Sequence, residues 1–218
     1  CSQSRGLGDV YKRQHINFSM VNKNGKNIFD GGNKWSKESL FAVGGLMKHA
    51  EALTSITCST VNSYNGLVPR VGGFEGGTVT WAPTNITYGH NNRSAQFRLP
   101  QNRYCIENRA ADMTMNVYLA FSMTLSAAVE GIKNKIHPGK PTDQDLYNMT
   151  DREFKKLGIK RLPRNLLMAL DALKNDKLSD EVIGTVMKKS LLEYKNDEWE
   201  RYHQAVTDWE VKEYLRLY

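Results

Sequence analysis

Asn92-Arg93-Ser94-Ala95-Gln96-Phe97-Arg98-Leu99-Pro100 and, a few residues on, Cys105-Ile106-Glu107-Asn108-Arg109-Ala110-Ala111-Asp112-Met113-Thr114-Met115-Asn116 decide the fold. Within them, Ala95–Leu99 and Tyr104–Arg109 are short β-prone stretches. At Asn116 the pattern changes to a helical one. Val117, Phe121, Leu125, Ala128, Ile132 and Ile136 form one stripe, predicting a helix from Asn116 to Ile136 that His137-Pro138-Gly139 stops.

Upstream, Thr78–Trp81 is a further β-prone stretch. Cys58 to Gly77, rich in Ser, Asn and Gly and ending in Gly72-Gly73-Phe74-Glu75-Gly76-Gly77, reads as a long mobile loop of the kind that often carries function. Ser36 and Ser39 followed by Val43, Leu46, Ala50 and Leu53 predict one helix. His15 to Met20 alternates, predicting a strand with His15, Asn17 and Ser19 on one face, and Asn24-Gly25 marks a hairpin-type turn. Downstream come a polar linker, a helix from about Pro163 to Lys174 and a long helix from Ser179. The stripe Trp199, Tyr202, Val206 and Trp209 requires a surface, either the chain's own core or a neighbouring subunit. No internal repeat or low-complexity tract appears. The architecture predicted is α+β, an antiparallel sheet backed by helices.

Composition narrows the function. Of 218 residues, 40% are hydrophobic and 24% charged, which excludes disorder, collagen and coiled coil as whole-chain descriptions. No apolar run reaches membrane-span length, and no signal-peptide pattern opens the chain. Three cysteines make no disulfide framework at this length, so Cys58 and Cys105 are expected as reduced thiols in a cytoplasmic protein. A net charge of +7 suits an anionic partner. Nucleic acid ranks last among such partners, because neither a basic stripe with interleaved aromatics nor a groove-reading motif is present.

Residues 1–14 stand apart: Cys1 to Gln14 has no initiator Met and no periodicity, and resembles a translated sequencing-adaptor read. The expectation is a non-native leader over 1–14 and authentic protein over 15–218, with sheet and core helices in 15–140 and C-terminal helices in 141–218.

Arginine suits a phosphate or carboxylate site because its planar fork binds two oxygens and stays charged. Glu107 and Arg109, two apart on a strand, share a face, so a metal-binding carboxylate can sit beside a phosphate-binding guanidinium. Arg93 and Arg98, five apart, face opposite sides of one strand unless a bulge intervenes. From pattern alone, surface Arg–Glu pairs worth only ~0–1 kcal/mol each are an equal reading.

As strings, "GGLMKHAEALTSITCSTVNSYNGLVP", "NNRSAQFRLP", "CIENRAADMTMNVYLAF" and "EGIKNKIHPGKP" together resemble the C-terminal catalytic half of the glutamine synthetase family. "HINFSMVNKNGKNIFDG" resembles its His-containing strand and following hairpin. The ending "YKNDEWERYHQAVTDWEVKEYLRLY" looks more like the type III or glutamate–methylamide ligase branch.

The resemblance implies a glutamine synthetase/guanido kinase-like catalytic domain, here partial, and an ATP-dependent carbon–nitrogen ligase using Mg²⁺ or Mn²⁺. ATP would phosphorylate the glutamate γ-carboxylate, and ammonia or a small amine would attack the γ-glutamyl phosphate. A γ-glutamyl-methylamide or polyamine ligase and a non-catalytic oligomer subunit are the competing readings. It further implies a homo-oligomeric ring and binding of neither nucleic acid nor membrane. By the same resemblance, His15 and Glu107 match metal ligands, and Arg93 and Arg109 match arginines on the transferred phosphate. Arg98 matches one near the nucleotide phosphates or the glutamate carboxylate, Ser19 matches a serine beside the nucleotide, and Asn17 stands where the family has the second histidine of His-x-His, its amide able to hydrogen-bond the nucleotide instead. Asn62 and Tyr64 lie in the motif shaping the glutamate pocket, where Arg109 also belongs.

Departures accompany the matches. Asn65-Gly66 stands where the family commonly has Lys-Arg, with Arg70 the nearest replacement. Glu75 is the only carboxylate near the position of the flap glutamate that shields the intermediate. Cys105 stands where an arginine precedes the metal glutamate, a role open to Arg103 by a change of register. The family's other metal carboxylates and its small N-terminal β-grasp domain do not appear, so the isolated chain is expected to lack ligase activity.

Overall fold

The computed structural model describes residues 13–67, 82–90, 92–144, 146 and 149–215. The first strand, β1 (Arg13–Phe18), buries Ile16 and Phe18 and leaves His15 and Asn17 on the other face. Its first two residues lie inside the segment that the sequence sets apart, and they pair with Asp112 and Ala111. Ser19 falls beyond the strand end and is exposed, because the alternation stops at Phe18. Asn22 then accepts from the amides of Asn24 and Lys26, and Gly25 takes a φ of 75° to turn the chain.

Helices α1 (Lys37–Lys48) and α2 (Ala50–Thr57) replace the single helix expected here. Ser36 caps α1 by accepting from the Ser39 amide. The break falls at His49, whose buried ring is held by carboxylates of two other helices. Thr60 and Ser63 form a capping box on a short 3₁₀ helix, Val61–Gly66, inside the segment expected to be loop. Arg70, Glu75 and the stretch Thr78–Trp81 lie outside the described residues.

Strands β2 (Asn85–Gly89), β3 (Ala95–Arg98) and β4 (Ile106–Asp112) follow, then α3 (Val117–Lys133). The Asn116 side chain caps α3 on the amides of Tyr118 and Leu119, close to the predicted start. The rest is α4 (Asp151–Leu157), β5 (Lys160–Arg161), α5 (Leu166–Asn175), α6 (Lys177–Ile183), α7 (Thr185–Gln204) and α8 (Asp208–Tyr214). Gly184, at φ 82°, divides the long helix expected from Ser179.

The sheet order is β1-β4-β3-β2-β5. It is mixed rather than antiparallel throughout, because β2 and β3 run parallel. The connection between them is pinned by Asn92, whose amide donates to the carbonyls of Thr142 and Gln144 and accepts from the Ser94 amide. The helices cover the sheet face that presents Phe97 and Ile106, and Leu46, Leu53, Met123 and Leu170 complete a fully buried core. Of the C-terminal aromatic stripe, Trp199 packs on this core while Trp209, on α8, is 61% exposed. Among the described residues no helix is long and apolar enough to cross a membrane.

A buried charge cluster ties three of these helices together. His49 Nδ1 lies 2.5 Å from Asp176 Oδ2, its Nε2 pairs with Glu130, and Lys48 Nζ lies 2.6 Å from Glu130 Oε1. Burial alone would lower the imidazole pKa, but Asp176 and Glu130 outweigh it and raise it above 6.5. Both carboxyls are held below their ordinary values despite burial, Asp176 chiefly by His49 and Glu130 by Lys48 and His49. A raised imidazole stabilises the fold below its unfolded pKa and loses that contribution as pH rises through the folded one. Depressed carboxyls stabilise above their unfolded values and lose that contribution as pH falls. The cluster is therefore most stabilising from about pH 5 to 6.5. The urea midpoint of the wild type should fall between pH 6.5 and 9 more steeply than that of His49→Gln. Parallel curves would refute the charged-His assignment.

Candidate active site

The sheet register builds the site. Asn17 of β1 and Arg98 of β3 both stand beside Glu107 of the intervening β4, and alternation adds His15 and Arg109 to the same face. Glu107, 3% exposed, is gripped from three sides. Its Oε1 lies 3.0 Å from His15 Nδ1 and 2.7 Å from Arg109 Nη1, and its Oε2 lies 3.0 Å from Arg98 Nη1. Arg109 also donates through Nε to the Arg93 carbonyl at 3.2 Å. Arg103 reaches in from the β3–β4 turn to donate to Asn17 Oδ1 at 3.1 Å.

These seven residues, His15, Asn17, Arg93, Arg98, Arg103, Glu107 and Arg109, line one open cleft of about 350 Å³. Among the described residues, four guanidiniums and one carboxylate line it. Burial would raise the Glu107 carboxyl, but hydrogen bonds from His15 and Arg109 and the charges behind them hold it at about 2. It is therefore ionised at neutral pH. Burial also lowers the Arg109 guanidinium pKa, against the pull of Glu107 and with the help of Arg98 and Arg93.

The expectation that Arg93 and Arg98 face opposite ways fails. Arg93 sits in the bend before β3 rather than on the strand, so strand parity does not govern it. Arg103, and not position 105, supplies the further guanidinium. Cys105 is a buried free thiol whose pKa burial raises, against the nearby Arg103 charge.

Ser19, Asn62 and Tyr64 do not line the cleft. Tyr64 is a core residue, 3% exposed, and its hydroxyl pKa is raised well above the ordinary value by burial and by the charges of Cys58, Asp112 and Glu198. Sequence reasoning passed over Gln96, which is fully buried with both amide atoms unpartnered. Its position two residues before Arg98 was the available signal.

His15 and Glu107 offer one imidazole nitrogen and one carboxylate. Among the described residues no three His, Cys, Asp or Glu side chains converge. That donor pair fits a hard cation that takes its remaining ligands from water and phosphate, while the guanidiniums fit the phosphate oxygens.

The family profile described as "Glutamine synthetase, catalytic domain" matches residues 8–214. The chain belongs to the glutamine synthetase family. It is 40% identical over 216 residues to a protein named glutamine synthetase from Pyrococcus abyssi, covering 92% of this chain and 47% of that relative. The glutamine synthetase of Methanosarcina mazei is 39% identical over 209 residues, with 93% and 44% covered. The chain thus spans about half the length of the curated relatives it matches. Among solved structures, one titled "GmaS/ADP complex-Conformation 1" superposes with a TM-score of 0.80 at 33% identity, covering 94% of this chain and 46% of that one. Another, titled "Apo GmaS without ligand", gives 0.75 at 32% identity, covering 92% and 44%. The α+β glutamine synthetase catalytic-domain fold implied by the sequence strings is the fold observed, its sheet mixed rather than antiparallel throughout.

Proposed function

We propose that this chain works in an ATP-dependent ligase that joins ammonia or a small amine to the γ-carboxylate of glutamate through γ-glutamyl phosphate. The observation that carries the reading is the cleft in which Arg93, Arg98, Arg103 and Arg109 surround the His15–Glu107 pair. A carboxylate is a poor electrophile until one oxygen becomes a leaving group, and ATP with Mg²⁺ or Mn²⁺ supplies that activation. The chain's own residues supply position and charge, which dominate phosphoryl transfer. His15 and Glu107 hold the cation. Arg93, Arg98 and Arg109 take the phosphate oxygens, and Asn17 and Arg103 form the outer wall beside the nucleotide. The family supports assembly of several copies and a small-molecule role, and the reduced Cys105 thiol supports a cytoplasmic setting.

ADP with Mg²⁺, at a hundred times its Kd, should stabilise the intact protein by about 2.7 kcal/mol. A thermal melt reads this, with product formation from glutamate and ammonia measured alongside. No nucleotide-dependent shift and no turnover would leave the non-catalytic subunit as the surviving reading.

A second reading concerns the amine. Asn65-Gly66 in place of Lys-Arg and the form of the C-terminal tail support methylamine or another alkylamine over ammonia. The ratio of kcat/KM for methylamine and ammonia in the intact protein decides between them.

A further inference from the structure

Gln96 lies on β3 two residues before Arg98, so alternation gives it the cleft face. The β3–β4 register, Arg98 with Glu107 and Phe97 with Asn108, continues to set Gln96 opposite Arg109. The side chain is 0% exposed, and neither Nε2 nor Oε1 has a hydrogen-bond partner. An amide brings two donors and two acceptor lone pairs, and burying them unmade opposes folding. An apolar residue of like volume would fill the same space without that penalty, so this amide persists against stability. Residues kept under that condition cluster where function requires them.

Arg109 supplies the requirement. Its Nη1 is committed to Glu107 and its Nε to the Arg93 carbonyl. A phosphate entering the cleft competes for the guanidinium, and a cation taken by Glu107 displaces it. Once Arg109 turns from Glu107 towards the phosphate its guanidinium must be held in a new position, and Gln96 faces it across the strand pair.

We propose that Gln96 is a positioning residue whose amide carbonyl receives the Arg109 guanidinium when a phosphate-bearing ligand competes with the Arg109–Glu107 ion pair. The inference rests on the reading of the cleft as a phosphate site, and the experiment separates the two. Gln96→Met and Gln96→Leu are made in the full chain; Tm is measured without ligand, and inorganic phosphate binding is measured by calorimetry at low salt. Removing the unmade hydrogen bonds should raise Tm by about 2–4 °C. Losing the acceptor should weaken phosphate binding about tenfold. A merely structural Gln96 would instead lower Tm in both variants, which would overturn the proposal. Higher Tm with unchanged phosphate affinity would overturn it too, leaving the phosphate-site reading intact. A wild type that binds no phosphate would remove that reading and this inference together.

Discussion

Replacing Glu107 with glutamine is expected to lower turnover of the proposed ligase by about 10²–10³-fold, the range found when one preorganised electrostatic partner is removed from a catalytic site. The size follows from what the carboxylate touches. His15, Arg98 and Arg109 all converge on it within 3.0 Å, and it is 4% exposed at the side chain. Glutamine keeps the volume but removes the only negative charge among the described residues lining the cleft. The proposed cation would lose its carboxylate ligand, and Arg98 and Arg109 would lose the anion that spaces them. Stability should fall as well, by about 1–3 kcal/mol. That is below the 3–5 kcal/mol of a fully buried broken pair, because His15 and Arg98 are partly exposed and solvent screens them. Turnover at saturating substrate and urea midpoints on the same preparation separate the two effects. A variant with near-normal turnover would show that Glu107 serves the fold alone.

The second large effect lies away from the cleft, where α1 crosses α3. A Cβ built on Gly45 meets the Ala127 carbonyl oxygen at 2.0 Å and the Gly131 backbone at 2.7 Å, and one built on Gly131 meets the Phe41 carbonyl oxygen at 2.1 Å. These are backbone atoms on both sides, so no rotamer change relieves the contact and the helices must part. Gly45→Ala is expected to destabilise by about 3 kcal/mol, the upper end for overpacking, despite alanine's better helix propensity. Gly45→Val should abolish cooperative folding. Since α3 follows directly from β4, opening this crossing should also loosen Glu107 and Arg109. A urea midpoint for Gly45→Ala equal to or above that of the wild type would rule out the close helix crossing.

That pair of glycines shows how far the sequence could be read. Gly44-Gly45 within a helical pattern looks like a local weakness, and only the position of α3 reveals why no side chain fits there. The same limit applies to His49. It lies within an apolar series predicting one helix, but Glu130 and Asp176, distant in sequence, hold its ring where the helix breaks.

What the sequence determined by itself was local. Alternation put Glu107 beside Arg109 and His15 beside Asn17; a stripe at helical spacing marked α3; and ordered strings placed the chain in its family. Those signals survive because strand and helix periods fix which side chains share a face, whatever the face later meets. Tertiary structure decided the rest. It made β2 and β3 parallel through the Asn92-pinned connection, brought Arg93 into the cleft from a bend, carried Arg103 across to Asn17, and buried Tyr64 in the core. Each of these depends on a partner far along the chain, and the free energy of a long-range contact belongs to the pair rather than to either stretch of sequence alone.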